Sequence, residues 1–190
     1  MALATKPDRR EAICEAVFEL LGEVGYDRMS MDAVAARARA SKATIYRGWP
    51  SKPELVMEAI EHRYGGPAEP PDTGSLRGDL VAQLTMMCKV AQGADGAIIT
   101  GLMTAATHNA ELSQVMYRCV YETKHSMYQS MIKRAVERGE LPEGTPADLL
   151  HEVIHSMVIT RRLWQTAPMD ESFVTRLVDG VLLPMLRAGC

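Results

Sequence analysis

Two groups of residues in this 190-residue chain have the types and spacing that chemistry requires. The first is His151-Glu152-Val153-Ile154-His155, an H-E-x-x-H pattern. On a helix, residues four apart share a face, so both imidazoles could hold a zinc ion while the glutamate acted as base. That chemistry is hydrolysis. A catalytic zinc also needs a third protein ligand and an open position. No histidine follows His155, and His108 and His125 lie upstream on other predicted helices. The pentapeptide is therefore read as packing at a helix interface, with no metal and no cofactor expected.

The second group is a run of positive charge. Residues 28–52 hold Arg28, Arg37, Arg39, Lys42, Arg47 and Lys52 against one acid, Asp32, although the whole chain carries a formal charge of −3. A local surplus of this kind is an electrostatic footprint for a polyanion.

Those side chains must be positioned by helices. Hydrophobic residues make up 47% of the chain, aromatics only 5%, and there are 13 methionines, a balance that favours helix over sheet. Ile13, Val17, Leu20, Leu21 and Val24 recur at helical spacing, and Gly25 stops that helix just past its last periodic residue. Ser30 is placed to cap a short second helix. A break at Arg39–Ala40 leads to Ser41, the cap of a third helix through about Gly48. Ser51 caps a fourth, with Pro53 in its first turn, where a missing N–H does no harm. "GGPAEPPDTG" (65–74) is the clearest break in the chain. Further helices are predicted over 75–92, 97–107, 111–137, 146–166 and 170–187, making nine in all and no strand. The expected fold class is all-α.

Cys14, Cys88, Cys119 and Cys190 form no C-x-x-C pair, and no secretion signal precedes the first helix. Reduced thiols in a cytoplasmic protein are expected, with a weak redox reading open for Cys190 alone. No apolar run approaches the roughly 20 residues of a membrane span.

Two short helices joined by a tight turn, the second polar and basic, follow the helix-turn-helix plan. Ala35 is small enough for the close crossing, and Val34 and Ile45 plug it from either side. Ser41, Lys42, Ala43 and Thr44 occupy the first turns of the second helix, which in this plan point at base edges. The stretch "MSMDAVAARARASKATIYRGWPSKPELV" resembles the DNA-binding signature of the tetracycline-repressor (TetR) family of transcriptional regulators, and the match extends over 8–64. The resemblance implies that Lys42 and Thr44 touch DNA, that Tyr46 places its hydroxyl on a phosphate, and that Lys52 grips the backbone. Ser30 and its helix N-terminus are expected to hold another phosphate, Arg39 and Arg47 to face DNA, and Trp49 to pack between helices. One departure stands out. The family commonly has Gly where this chain has Arg39, so a left-handed turn there would cost about 1–2 kcal/mol.

The remainder is expected to dimerise and to sense a ligand, dividing the chain into a reader (1–50) and a ligand-binding and dimerisation domain (51–190). A helix-turn-helix monomer covers one half-site, and two are needed to reach successive major grooves. Leu149, Val153 and Met157 on one late helix, and Val174, Val178, Val181 and Met185 on the last, are the expected dimer interface. Met86, Met103, Met116, Tyr117, Tyr121, Tyr128 and Trp164 are the expected walls of a pocket for a small apolar effector, since methionine adapts to irregular shapes. The sequence thus points to a homodimeric repressor that binds a palindromic operator in double-stranded DNA. The alternatives are a zinc-dependent hydrolase built on HEVIH and a helical ligand-binding module without DNA binding.

Overall fold

The computed structural model describes residues 9–64, 69–93, 95–164 and 167–188, which form nine helices and no strand. They are α1 (Arg9–Arg28), α2 (Met31–Arg37), α3 (Lys42–Gly48), α4 (Lys52–Tyr64), α5 (Leu76–Gln92), α6 (Gly96–Ala106), α7 (110–137), α8 (Asp148–Trp164) and α9 (171–187). Two of them contain π-helical stretches, Tyr117–Glu122 in α7 and Val178–Leu182 in α9. Cys190, for which a redox role was open, lies outside the described residues.

The helix starts follow side-chain chemistry. Ser30, Ser41, Ser75, Asn109 and Asp170 each accept the backbone N–H three residues on, at 2.9–3.1 Å. Each cap satisfies one orphan donor of its helix and stabilises it by about 1 kcal/mol. The expected end near Val24 is also present: within α1, Gly25 takes φ 74° and ψ 172°, a conformation only glycine adopts cheaply, and the chain turns there.

The described residues divide into two compact units, Met1–Pro67 with Gly101–Cys119, and Ala68–Thr100 with Val120–Cys190. The first unit therefore extends beyond residue 50, the boundary expected from the sequence. The reason is apolar burial: Leu55, Val56, Met57 and Ala59 of α4 are all buried, and α4 packs on α1, whose Ile13, Val17, Phe18 and Leu21 are buried as well.

The second unit has its own core, built from Leu76, Leu80 and Leu84 on α5, Tyr128 and Met131 on α7, Leu150 and Ile154 on α8, and Phe173, Leu177 and Leu182 on α9. Asp79 is a fully buried carboxylate at the head of this core. It accepts hydrogen bonds from the Thr73 backbone N–H at 2.7 Å and the Thr73 hydroxyl at 2.8 Å, and Arg138 approaches it at 3.4 Å. These partners are what make its burial tolerable. Among the described residues no helix is long and apolar enough to cross a membrane.

Candidate nucleic-acid interface

Helices α2 and α3 and the turn between them form the site. Val34, Ala35 and Ile45 are buried at the crossing, and Ile45 is the one buried residue of α3. Every other residue of α3 is exposed or partly exposed: Lys42, Ala43, Tyr46 and Arg47 fully so, Thr44 partly. Ser41 starts the helix twice over, accepting the Thr44 N–H at 3.1 Å and sharing a 2.8 Å hydrogen bond with the Thr44 hydroxyl.

The turn itself has a defined mechanism. The Ala40 N–H donates to Ala35 O at 2.9 Å and the Arg39 N–H to Ala36 O at 3.3 Å, the paired bonds of a Schellman motif. That motif requires a left-handed residue at the position of Arg39, and Arg39 has φ 51°, alone among the described non-glycine residues in having a positive φ. The end of α7 makes the same two bonds, Glu140 N–H to Ala135 O and Gly139 N–H to Val136 O, with glycine in the left-handed place. The strain anticipated from the sequence is therefore present, and it points the Arg39 side chain outward.

The basic run is smaller than a count of residues implies. Arg37 donates to Glu19 at 2.9 Å and to both carboxylate oxygens of Glu23 at 2.9 and 2.7 Å, so it clamps α2 to α1. Lys42 is held by Asp32 at 2.6 Å, and the hydrogen bond raises its pKa. Lys52 turns away from solvent. Its ammonium donates to the carbonyls of Tyr26 at 3.0 Å and Met29 at 3.1 Å and lies 4.0 Å from the Tyr26 ring centroid. The expected backbone grip is thus directed at the chain's own backbone: two carbonyls freed by the Gly25 turn attract the charge. Burial depresses the Lys52 pKa, and the nearby acids Asp27 and Glu111 oppose that shift. Arg28, Arg39 and Arg47 are exposed and have no ion-pair partner among the described residues. The Ser30 hydroxyl is occupied by capping Ala33 N–H.

Trp49 packs as expected. It is buried, its indole N–H donates to Glu58 at 2.7 Å, and the Arg10 guanidinium sits 5.4 Å from its ring centroid while pairing with the same Glu58.

The expected pocket walls fall in both units. Met103, Met116 and Tyr117 belong to the first, and Met86, Tyr121, Tyr128 and Trp164 to the second. Met86, Tyr117 and Trp164 are exposed, Trp164 by 74%, while Tyr128 is fully buried. Of the expected dimer surface, Leu149, Met157 and Val181 are exposed, and Val153 and Met185 partly so. Val174 and Val178 instead lie in the core of their own chain, because the buried face of α9 continues through Leu177 and Leu182. His151 is likewise an interior residue rather than an interface one. Its ring stacks on His155, with centroids 4.1 Å apart, and takes the edge of Tyr121 at 4.6 Å. Among the described residues no cluster of three or more His, Cys, Asp or Glu could hold a metal ion. The partners of these basic residues were not legible in the sequence: Glu19, Glu23 and Asp32 carry no motif signal.

Residues 13–59 match the profile described as bacterial regulatory proteins, tetR family, and residues 70–181 match the Tetracyclin repressor-like, C-terminal domain. A DNA-binding transcriptional repressor, TetR, from Mycobacteroides abscessus is 39% identical over 95% of this chain and 95% of its own. An HTH-type transcriptional regulator from Mycobacterium tuberculosis is 36% identical over 94% of this chain and 88% of that one. A solved TetR family transcription regulator superposes with a TM-score of 0.75 at 30% identity, covering 93% of this chain and 97% of that one. The two profiles, the repressor relative and the superposition agree with the α2–α3 geometry, and the chain belongs to the TetR family of transcriptional regulators, not to a class of enzymes.

Proposed function

We propose that the protein is a ligand-responsive repressor that binds a palindromic operator as a homodimer and lets go when a small, largely apolar effector binds. The observation that carries this reading is the exposure of α3. It is anchored by Ile45 alone and offers Lys42, Ala43, Thr44, Tyr46 and Arg47 to solvent, with Arg39 alongside. A helix presented this way enters the major groove with its first turns at base edges. In this reading Arg39, Arg47 and Tyr46, which are exposed, contact phosphates, which fix register but do not read sequence.

Dimerisation follows from surface chemistry. Leu149 and Met157 are eight residues apart on α8 and exposed, and Val181 is exposed on α9. Apolar side chains repeated along a helix face are covered most economically by a second copy of the same face. Two reading helices then meet half-sites about 34–36 Å apart. The effector acts by population shift: it binds better to the arrangement that cannot reach both half-sites, and releases DNA by no more than that differential affinity.

The test is a mobility-shift and footprinting experiment with DNA from upstream of the protein's own gene. The expected result is two symmetric protected half-sites, with binding lost on Tyr46→Phe combined with Lys42→Ala while the dimer stays intact. Unchanged binding by that double variant sinks the reading.

A further inference from the structure

The H-E-x-x-H histidines are absorbed neither by zinc nor by the DNA-reading surface, and the structure gathers them with two tyrosines inside the second unit. Tyr121 presents its edge to His151 at 4.6 Å and stacks on His125 at 5.8 Å, Tyr128 lies 6.1 Å from His151, and His155 stacks on His151 at 4.1 Å. His151 is 7% exposed and Tyr128 not at all. Buried polar atoms in folded proteins nearly always have partners. Here Tyr128 Oη, His151 Nδ1 and His125 Nδ1 are all buried without a hydrogen-bond partner among the described residues. Gln83, buried on α5, interacts with the Tyr128 hydroxyl without meeting strict hydrogen-bond geometry.

We propose that this cluster receives the anionic head of the effector, which makes the effector an organic acid with an apolar body. The proposal rests on the ligand-responsive reading above. Three kinds of observation select an anion. The unsatisfied groups are a phenol and imidazoles, each able to donate a hydrogen bond. Lys124 is partly buried, has no ion-pair partner among the described residues, and its charge is felt by both His151 and His155. The nearby carboxylates face outward: Asp148 approaches His125 Nε2 only to 3.8 Å and is 76% exposed, and Glu152 is exposed. A donor-rich interior with an unpaired cation and no inward carboxylate is complementary to an acid's conjugate base. The apolar body would pack against the adjoining core, where Met127 and Met131 are buried and methionine adapts to irregular shapes. Tyr121 also belongs to the π-helical stretch Tyr117–Glu122, a distortion that recurs at functional sites.

A second consequence concerns protons. Burial holds His151 and His155 below the ordinary histidine value, so both are neutral near pH 7. An anion placed beside them favours the imidazolium form, so binding takes up protons. The other charged or titratable groups around them are His125, Lys124, Tyr121 and Tyr128 on α7, with Asp148 and Glu152 on α8 directed to solvent.

The test uses the full-length protein and a panel of straight-chain carboxylates from butanoate to dodecanoate, with benzoate and phenylacetate. Each acid is paired with the alcohol and the primary amine of the same skeleton. Calorimetry at pH 7 in phosphate and in Tris reads affinity and proton uptake together. At least one acid is expected to bind at least about tenfold tighter than its alcohol and amine and to take up protons. Tyr128→Phe, which removes a hydroxyl whose polar neighbour is Gln83, should leave the fold and the DNA affinity intact and weaken that acid by about tenfold. His151→Phe should reduce the proton uptake, leaving only the share carried by His155. The proposal is overturned if no acid binds, if alcohols or amines bind equally well, or if both variants bind the acid as the parent does. Acid binding without operator release leaves the site standing and removes the ligand-responsive reading. Operator release by a neutral compound indifferent to both variants does the reverse.

Discussion

Lys42 Nζ lies 2.6 Å from Asp32 Oδ2, so the cation at the start of α3 is held by the carboxylate in the first turn of α2. The Lys42 side chain is largely solvent-exposed and that of Asp32 about half so, which makes the pair exchangeable. A phosphate must displace Asp32 before Lys42 can serve DNA, and Asp32 itself repels that phosphate. Asp32→Asn is therefore expected to tighten binding to duplex DNA by about three- to tenfold at low salt. Fluorescence anisotropy on a labelled duplex checks it, and an affinity unchanged or weakened in Asp32→Asn counts against the exchange.

Arg39 occupies a backbone conformation that glycine adopts without strain. Arg39→Gly should raise folding stability by about 1 kcal/mol, because the Schellman bonds are kept and the Cβ penalty disappears. The same variant should bind DNA more weakly, having lost one outward charge. Urea unfolding and anisotropy on one preparation separate the two effects. A loss of both stability and affinity would show the side chain to be a structural contact instead.

Lys52 is committed to Tyr26 O and Met29 O. Lys52→Met leaves two carbonyls of the turn after Gly25 without their donor and should cost about 1–3 kcal/mol in urea unfolding. Its effect on DNA affinity, measured at a temperature where the variant is folded, should be smaller than that of Arg47→Ala.

His155 has its pKa pushed down to about 4, first by burial and then by the neighbouring His151. The folded state resists protonation that the unfolded chain accepts at an ordinary value near 6.5, so the unfolded state binds more protons between those values. Stability is full above about pH 6.5 and falls as pH drops toward 4, with His155 contributing on the order of 3 kcal/mol over that window. Denaturation midpoints at pH 7.5 and 4.5 measure the loss, and His155→Phe should flatten the dependence.

The exposed and buried apolar residues of the last two helices should respond differently to mutation. Leu149→Glu with Met157→Glu, both at exposed positions, is expected to yield a folded monomer by sedimentation velocity. Val178→Ala, at a fully buried position, should leave assembly alone and cost roughly 1–3 kcal/mol of stability.

Helix boundaries were legible because their signals are local. Ser30 and Ser41 cap where the sequence places them, Gly25 breaks its helix, and α7 stops at Glu137, two residues before the left-handed Gly139. The strain at Arg39 was legible only through the family resemblance, in which glycine commonly holds that turn position. The face of α9 was not legible. Val174, Val178 and Val181 share one periodic pattern, yet the first two are buried in their own chain and the third is exposed. The π-helical stretch Val178–Leu182 shifts the register of the helix midway along that pattern, and a fixed period of 3.6 does not foresee it.

By itself the sequence determined an all-helical chain, the two-helix reading unit and its turn, and the surplus of basic residues around it. Only the tertiary structure decided which of those charges are free. Arg37 is tied to Glu19 and Glu23, 18 and 14 residues back, and Lys52 to carbonyls 26 and 23 residues back. The same holds for the histidines: their spacing suggests a metal, while helix packing turns His151 inward against Tyr121 and Tyr128. Capping and periodicity act within a few residues of the chain and can be read along it. Ion pairing and burial act through space, between groups whose separation is set only once the helices have packed.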